Sequence, residues 1–166
     1  NGGNVHSLQD AVRGVRGVLQ SQTTEGENAT RGYINSFTAD GFNTGDANGA
    51  SINPSNGSGL TYVAWNWKAN GSGSSNTTGS INTTATSANA DAGFSISTYT
   101  GTGSAATIGH GLSKAPEMVI AKRRDTGSSN WWVYHKDNTA APETDGLRLD
   151  GNNATTDDNF WNDTAP

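Results

Sequence analysis

The sequence predicts an all-β protein, an antiparallel β-sandwich with little or no helix. Three observations carry that expectation. Short runs rich in β-branched and aromatic residues alternate apolar with polar side chains. Gly, Asn, Asp and Ser clusters separate those runs at short intervals, as turns between strands do. Helical periodicity is nearly absent, and five Trp, four Tyr and four Phe are there to anchor a core.

Taken in order, Ser7–Arg13 has the makings of one short helical turn, which Gly14 and Gly17 would stop. Val18–Gln20, Ser36–Thr38 and Gly41–Asn43 read as short strands. Thr61–Lys68 is the fullest example of period-2 alternation, with Val63, Trp65 and Trp67 on one face. Gly93–Tyr99 repeats the pattern with Phe94 and Ile96 inward. Met118–Lys122 is apolar on both faces, which suits a central strand. Trp131–His135 is dense in strand formers, and Leu147–Leu149 supplies a last short strand.

Between these runs, Asn70–Ala90 consists almost wholly of Gly, Ser, Asn, Thr and Ala. Such sequence has little apolar area to offset the cost of ordering, so a long polar loop is the favoured reading. An edge strand over Ser80–Thr84 is the alternative. The chain therefore divides into 1–69 as the N-terminal part of the sandwich, 70–91 as the loop, and 92–166 as the C-terminal part. A faint internal echo runs through it. Val18–Ser21, Asn28–Thr30 and Tyr33 recur in the same order as Leu147–Asp150, Asn153–Thr155 and Phe160–Trp161, as a duplicated half-unit would show.

Composition narrows the function classes. The formal net charge is -5 and the pI near 4.9, so binding to a phosphate backbone is not the expected task. No apolar run is long enough for a membrane-spanning helix, so membrane insertion is not expected. The absence of cysteine removes disulfides, thiolate zinc sites and a cysteine nucleophile together. It fits a protein made in bacterial cytoplasm, including one destined for a virus particle. The chain opens at Asn1 without Met, and a segment of a longer polypeptide is the favoured reading.

Catalytic constellations are thin. His6, His110 and His135 have no Gly-x-Ser-x-Gly elbow to serve, and no two of them are spaced as helical metal ligands. His110 lies in Gly109-His110-Gly111, which reads as a tight turn. Gly101–Ala106 imitates part of a dinucleotide loop, but no amphipathic helix follows it. A glycosidase needs two carboxylates across a cleft; only Glu117 adjoins a strand, and it has no partner at strand spacing. No cofactor is expected. Asp157 and Asp158, with Asp145-Gly146, are weak candidates for a structural calcium, against the reading of solvated turns.

Aromatics are the remaining chemistry. Trp131 and Trp132 are adjacent, so on a strand they point to opposite faces, and Trp132 shares its face with Tyr134. Trp132, Tyr134 and Trp161 are the candidate ligand-binding residues, either stacking on a sugar or packing in the core or at an interface. Packing is favoured. Seven Asn residues, among them Asn28 and Asn76, begin Asn-x-Ser/Thr triplets, as expected by chance in so Asn- and Thr-rich a chain.

Several stretches carry a resemblance. They are Ser7–Gly14; Ser36-Phe37 with Asp40-Gly41-Phe42; Tyr62–Ala69; Ala92–Ile96; Tyr99–Gly103; and Ile108–Leu112. Ala115–Ile120 follows, with Lys122–Asp125, Asn130-Trp131, Tyr134–Lys136 and Trp161–Pro166. In this order they resemble the repeated lectin-like β-sandwich domain, of concanavalin A/laminin-G type, found in virion proteins of marine bacteriophages, especially cyanophages. The resemblance covers nearly the whole chain. It implies a jelly-roll sandwich and a non-enzymatic module of a tail fibre, spike or capsid-surface fibre. The implied partners are other virion subunits in a homo-oligomer, with host cell-surface polysaccharide as a further ligand. In that family a strand precedes the Val-Arg-Gly segment and another follows the Trp-Asn-x-Thr-x-Pro stretch. Their absence here fits a segment of a longer chain whose sheets are completed by neighbouring segments or subunits. A carbohydrate-binding adhesin is the alternative function.

Overall fold

The computed structural model describes residues 6–30, 33–45, 55–157 and 159–166. Among them the protein is all-β: ten strands, no α-helix and two single 3₁₀ turns. The strand pairings of the named sheets are antiparallel wherever their register is defined. Contacts divide the chain into two compact units, each described by itself. Unit 1 is 1–9, 15–60 and 117–166; unit 2 is 10–14 and 61–116.

The segment expected to begin as a helical turn is instead a hairpin of β1 (Ser7–Asp10) and β2 (Gly14–Gln20). Its turn is built by Asp10. One carboxylate oxygen accepts the backbone N–H groups of Val12 (3.0 Å) and Arg13 (2.9 Å), and the other pairs with the Arg13 Nε at 2.7 Å. Gly14 then takes φ +80°, a left-handed conformation that a side chain disfavours. The local carboxylate–backbone bonds give the chain a tight turn in place of a helix.

Unit 1 also holds the pair β3 (Ile34–Phe37) and β4 (Phe42–Thr44). Its largest sheet has four strands: β7 (Met118–Lys122), β8 (Trp131–His135), β9 (Asp145–Arg148) and β10 (Thr156–Asp157), in the order β10-β9-β8-β7. Val18, Leu19, Tyr33, Trp131, Val133 and Tyr134 form the apolar core. Trp131 donates its indole N–H to the carbonyls of Gln20 (3.0 Å) and Thr23 (3.2 Å), tying β8 to the end of β2. Lys122 Nζ donates to the carbonyls of Thr24 (2.9 Å) and Ser129, with its ammonium 6.0 Å from the Trp131 ring centroid. β7 does not occupy the expected central place. It ends the sheet as described, and Met118 and Ile120 are half-exposed, although Val133 across the ladder from Ile120 is buried. Apolar character on both faces does not secure burial for a strand at the rim.

Unit 2 corrects two expectations. The stretch read as a polar loop contains β5 (Ala85–Asn89), paired residue for residue with β6 (Phe94–Thr98). Ser74 bridges to Thr86, and Ile81 to Ile108, so the proposed Ser80–Thr84 strand is reduced to a single bridge. What offsets the ordering cost here is a buried hydroxyl network instead of apolar area. Thr83, Thr86 and Ser87 are all buried. Thr86 Oγ1 donates to Thr83 Oγ1 and lies 2.9 Å from Ser97 Oγ, while Thr83 and Ser87 accept the backbone N–H groups of Asn76 and Asn70, each at 2.8 Å. Each of these hydroxyls has a hydrogen-bond partner, which avoids the cost of burying an unsatisfied polar group.

The second correction concerns Thr61–Lys68. The residues with the clearest strand pattern in the sequence belong to no strand. The chain runs without a turn or bend over residues 60–70, yet no described strand pairs with it. The period-2 pattern encodes a half-buried strand, but a strand also needs a neighbour.

Candidate binding surface

The predicted aromatic residues do converge. In β8, Trp131 points to one face and Trp132 with Tyr134 to the other, as alternation requires. Above Trp132 and Tyr134 lies the second 3₁₀ turn, Asn159–Trp161. Phe160 stacks on Trp132 at 4.9 Å between centroids, and Trp161 meets Tyr134 edge-on at 5.8 Å. The turn is locked by Asn162 and Asp163, both at positive φ (56° and 49°), with the Thr164 N–H donating back to the Trp161 carbonyl at 3.3 Å. Asn and Asp tolerate that conformation better than other side chains. Trp161 completes the arrangement by donating its indole N–H to the Asp145 carbonyl at 3.2 Å.

This cluster is packing. Tyr134 is 5% exposed and presents no ring face to a ligand. The Trp132 ring is engaged by Phe160 and by the Arg148 guanidinium, 5.0 Å from its centroid. The open platform of Trp132 and Tyr134 that a sugar would need is therefore absent from the described structure, because the chain covers it with its own aromatic turn. Phe160 and Arg148 escaped sequence reasoning. Arg148 stands opposite Trp132 in the ladder, a neighbour that only the register reveals.

Candidate metal ligands fare similarly. Asp157 is exposed in β10, and Asp158 lies outside the described residues. Among the described residues no three His, Asp or Glu side chains gather as a metal site. Two of the histidines serve turns: His110 Nδ1 accepts the Leu112 N–H at 3.0 Å, and His135 Nδ1 that of Asp137 at 3.2 Å. Two Asn-x-Thr triplets are turn devices as well. Asn28 Oδ1 accepts both the N–H and the hydroxyl of Thr30, and Asn76 Oδ1 those of Thr78, at 2.7–2.9 Å. The shifted acids are surface ion pairs. Hydrogen bonds from Arg123 and from Lys136 hold the carboxyls of Asp125 and Asp137 below their ordinary range. Burial lowers the Lys122 ammonium, partly offset by Asp150, but its carbonyl partners mark it as a structural group.

What stands out instead is the segment Leu60–Lys68 of the chain. Val63 is 70% exposed, Trp65 74% and Trp67 65%, while Leu60 and Tyr62 are more than half exposed. No backbone–backbone hydrogen bond is made by Val63–Ala69 among the described residues. At its end, Trp67 stacks on Phe94 of β6 at 6.1 Å. A shallow hollow of about 300 Å³ adjoins it, lined by Lys68, Asn70, Asn89 and Asp91 with three alanines. A second open hollow of about 390 Å³ runs along Asn76, Thr107, His110 and Leu112. Both hollows belong to unit 2. The apolar alternation of this segment was visible in the sequence; its exposure was not, because alternation marks an apolar face without saying what covers it.

Residues 1–166 match in full the family described as a domain of unknown function, DUF7483. The chain belongs to that family. No curated protein and no solved structure matches it. The features of this DUF7483 domain that bear on function are the exposed apolar residues Val63, Trp65 and Trp67 and the hollow beside Lys68.

Proposed function

We propose that the chain is a non-enzymatic structural module of a bacteriophage particle, part of a tail fibre, spike or capsid-surface fibre. In this reading it is made in the bacterial host cytoplasm, joins neighbouring subunits in a homo-oligomer, and presents surface for host recognition. The jelly-roll course of its strands belongs to the same proposal. One observation carries it: Val63, Trp65 and Trp67 are exposed apolar side chains on a segment that runs without turn or bend and has no strand partner among the described residues. Soluble proteins rarely leave such a row uncovered, and an unpaired extended segment is a template for β-addition. The resemblance to virion sandwich domains supplies the setting. Many weak contacts repeated along a fibre give avidity without a deep pocket.

The test is sedimentation velocity of the full chain across a range of concentrations. The wild type is expected to associate, and Trp65→Ser to shift it towards monomer with its circular dichroism spectrum unchanged. A wild type that stays monomeric throughout would overturn the assembly reading.

A second reading, a carbohydrate-binding adhesin, is favoured by Trp67 over Phe94 next to the amide- and acid-lined hollow. A glycan array with the full chain tests it, with Trp67→Ala as control. Binding lost in the variant is the expected outcome for that reading.

A further inference from the structure

We infer that the segment around Trp65 pairs with the same segment of a second copy of this chain, antiparallel and centred on Trp65. The inference rests on the assembly reading and deepens it by naming the partner and the register. Four observations carry it. The segment runs without a turn or bend, and Val63–Ala69 leave their backbone polar groups without backbone partners among the described residues. Its apolar row is exposed. It contains no carboxylate and a single charge, Lys68, in a chain whose formal net charge is -5, so it is a stretch where two copies approach without acid facing acid.

The fourth observation is that the sequence is self-complementary about Trp65. In the antiparallel register Trp65 faces Trp65, and Val63 faces Trp67 twice, aromatic and β-branched pairs of the kind that stabilise ladders. On the other face Ala64 meets Asn66, and Tyr62 meets Lys68 with its long apolar stem. The two Lys68 ammonium groups then lie at opposite ends of the ladder, about 20 Å apart at roughly 3.4 Å per residue. That exceeds the Debye length of about 8 Å at physiological salt. A parallel in-register pairing would set Lys68 beside Lys68 at about 5 Å, where like charges oppose it. The antiparallel pair is also isologous, closing as a two-fold dimer and leaving other edges for further contacts.

The absence of cysteine makes the test clean. Ala64→Cys and Asn66→Cys are prepared as separate full-chain variants, each checked for wild-type circular dichroism, and oxidised gently, alone and mixed. Directly opposed positions have Cα separations of about 4.5–5.5 Å, within disulfide range, whereas the diagonal separation of about 7–8 Å is not. The mixture is expected to give a 64–66 disulfide at least fivefold above the yield of either variant alone. Equal cross-linking of each variant with itself would mean parallel pairing and would overturn the register. Concentration-dependent association without any 64–66 product would overturn self-pairing and leave the assembly reading standing. A monomeric wild type would remove both.

Discussion

Trp131 and Trp132 are neighbours in the chain and belong to opposite sides of one sheet. Trp131, 3% exposed, fastens β8 to the carbonyls of Gln20 and Thr23, while Trp132 lies against Phe160 and Arg148. The two substitutions should therefore separate. Trp131→Ala is expected to cost about 3–5 kcal/mol, the range for a large buried aromatic. Trp131→Phe should cost about 1–3 kcal/mol through the two carbonyls left without their donor. Trp132→Ala should cost about 1–2 kcal/mol, since stacking and cation–π contacts are each worth about 0.5–1.5 kcal/mol. Urea unfolding followed by circular dichroism checks the order.

Gly26 is fixed by crowding. A Cβ there would sit 2.7 Å from the Arg124 carbonyl oxygen and 2.8 Å from that of Thr126, both backbone atoms. The adjoining Glu27 N–H donates to the same Arg124 carbonyl at 2.7 Å. Gly26→Ala must push two backbone segments apart, with an expected loss of about 1–3 kcal/mol. Hydrogen exchange at the Glu27 amide should speed up with it.

In unit 2, Thr86→Val keeps the shape of the side chain and deletes the hydroxyl that joins Thr83 to Ser97. Leaving those two groups short of a partner should cost about 1–3 kcal/mol. Ser87→Ala, which removes one acceptor of the Asn70 N–H, should cost about 1 kcal/mol. If Thr86→Val proved neutral in thermal unfolding, the network would not be what holds this unit.

The surface ion pairs predict a small acid sensitivity. Asp125 and Asp137 are held below their ordinary value of 3.8 by hydrogen bonds from Arg123 and Lys136. A carboxyl depressed in the folded state adds stability above its unfolded pKa and loses it as pH falls through the folded value. The wild type should therefore lose slightly more stability below about pH 4 than the double variant Asp125→Asn, Asp137→Asn. Both pairs are solvent-exposed, so the difference should shrink in high salt. Melting temperatures against pH at two ionic strengths check it.

Much of the fold was legible where local pattern decides it. Met118–Lys122 and Trp131–His135 are strands with the expected ends, and Phe94–Thr98 lies inside its expected run. The opposite facing of Trp131 and Trp132 also followed from alternation alone. Missed elements depend on partners distant in the chain. Ala85–Asn89 has weak strand propensity and is held by its ladder to Phe94–Thr98 and by buried hydroxyls. The Ser7–Arg13 turn was decided by one carboxylate capping two N–H groups. At the candidate surface, alternation put Val63, Trp65 and Trp67 on one face of a strand without telling that they are exposed, and the residues singled out for binding were Trp132, Tyr134 and Trp161 instead. A strand reads the same whether its cover comes from its own chain or from another.

The hydroxyl network of unit 2 also bears on how this unit responds to temperature. Unfolding an apolar core raises heat capacity by about 0.45 cal/K/mol per Å² exposed, whereas exposing polar surface lowers it by about 0.26. Burying the hydroxyls of Thr83, Thr86 and Ser87 in place of apolar groups lowers the heat-capacity increment expected for this unit and flattens its expected stability curve. To the extent that hydroxyl bonds replace apolar contacts there, this unit is expected to weaken less on cooling than an apolar core, whose hydrophobic cohesion fades in the cold.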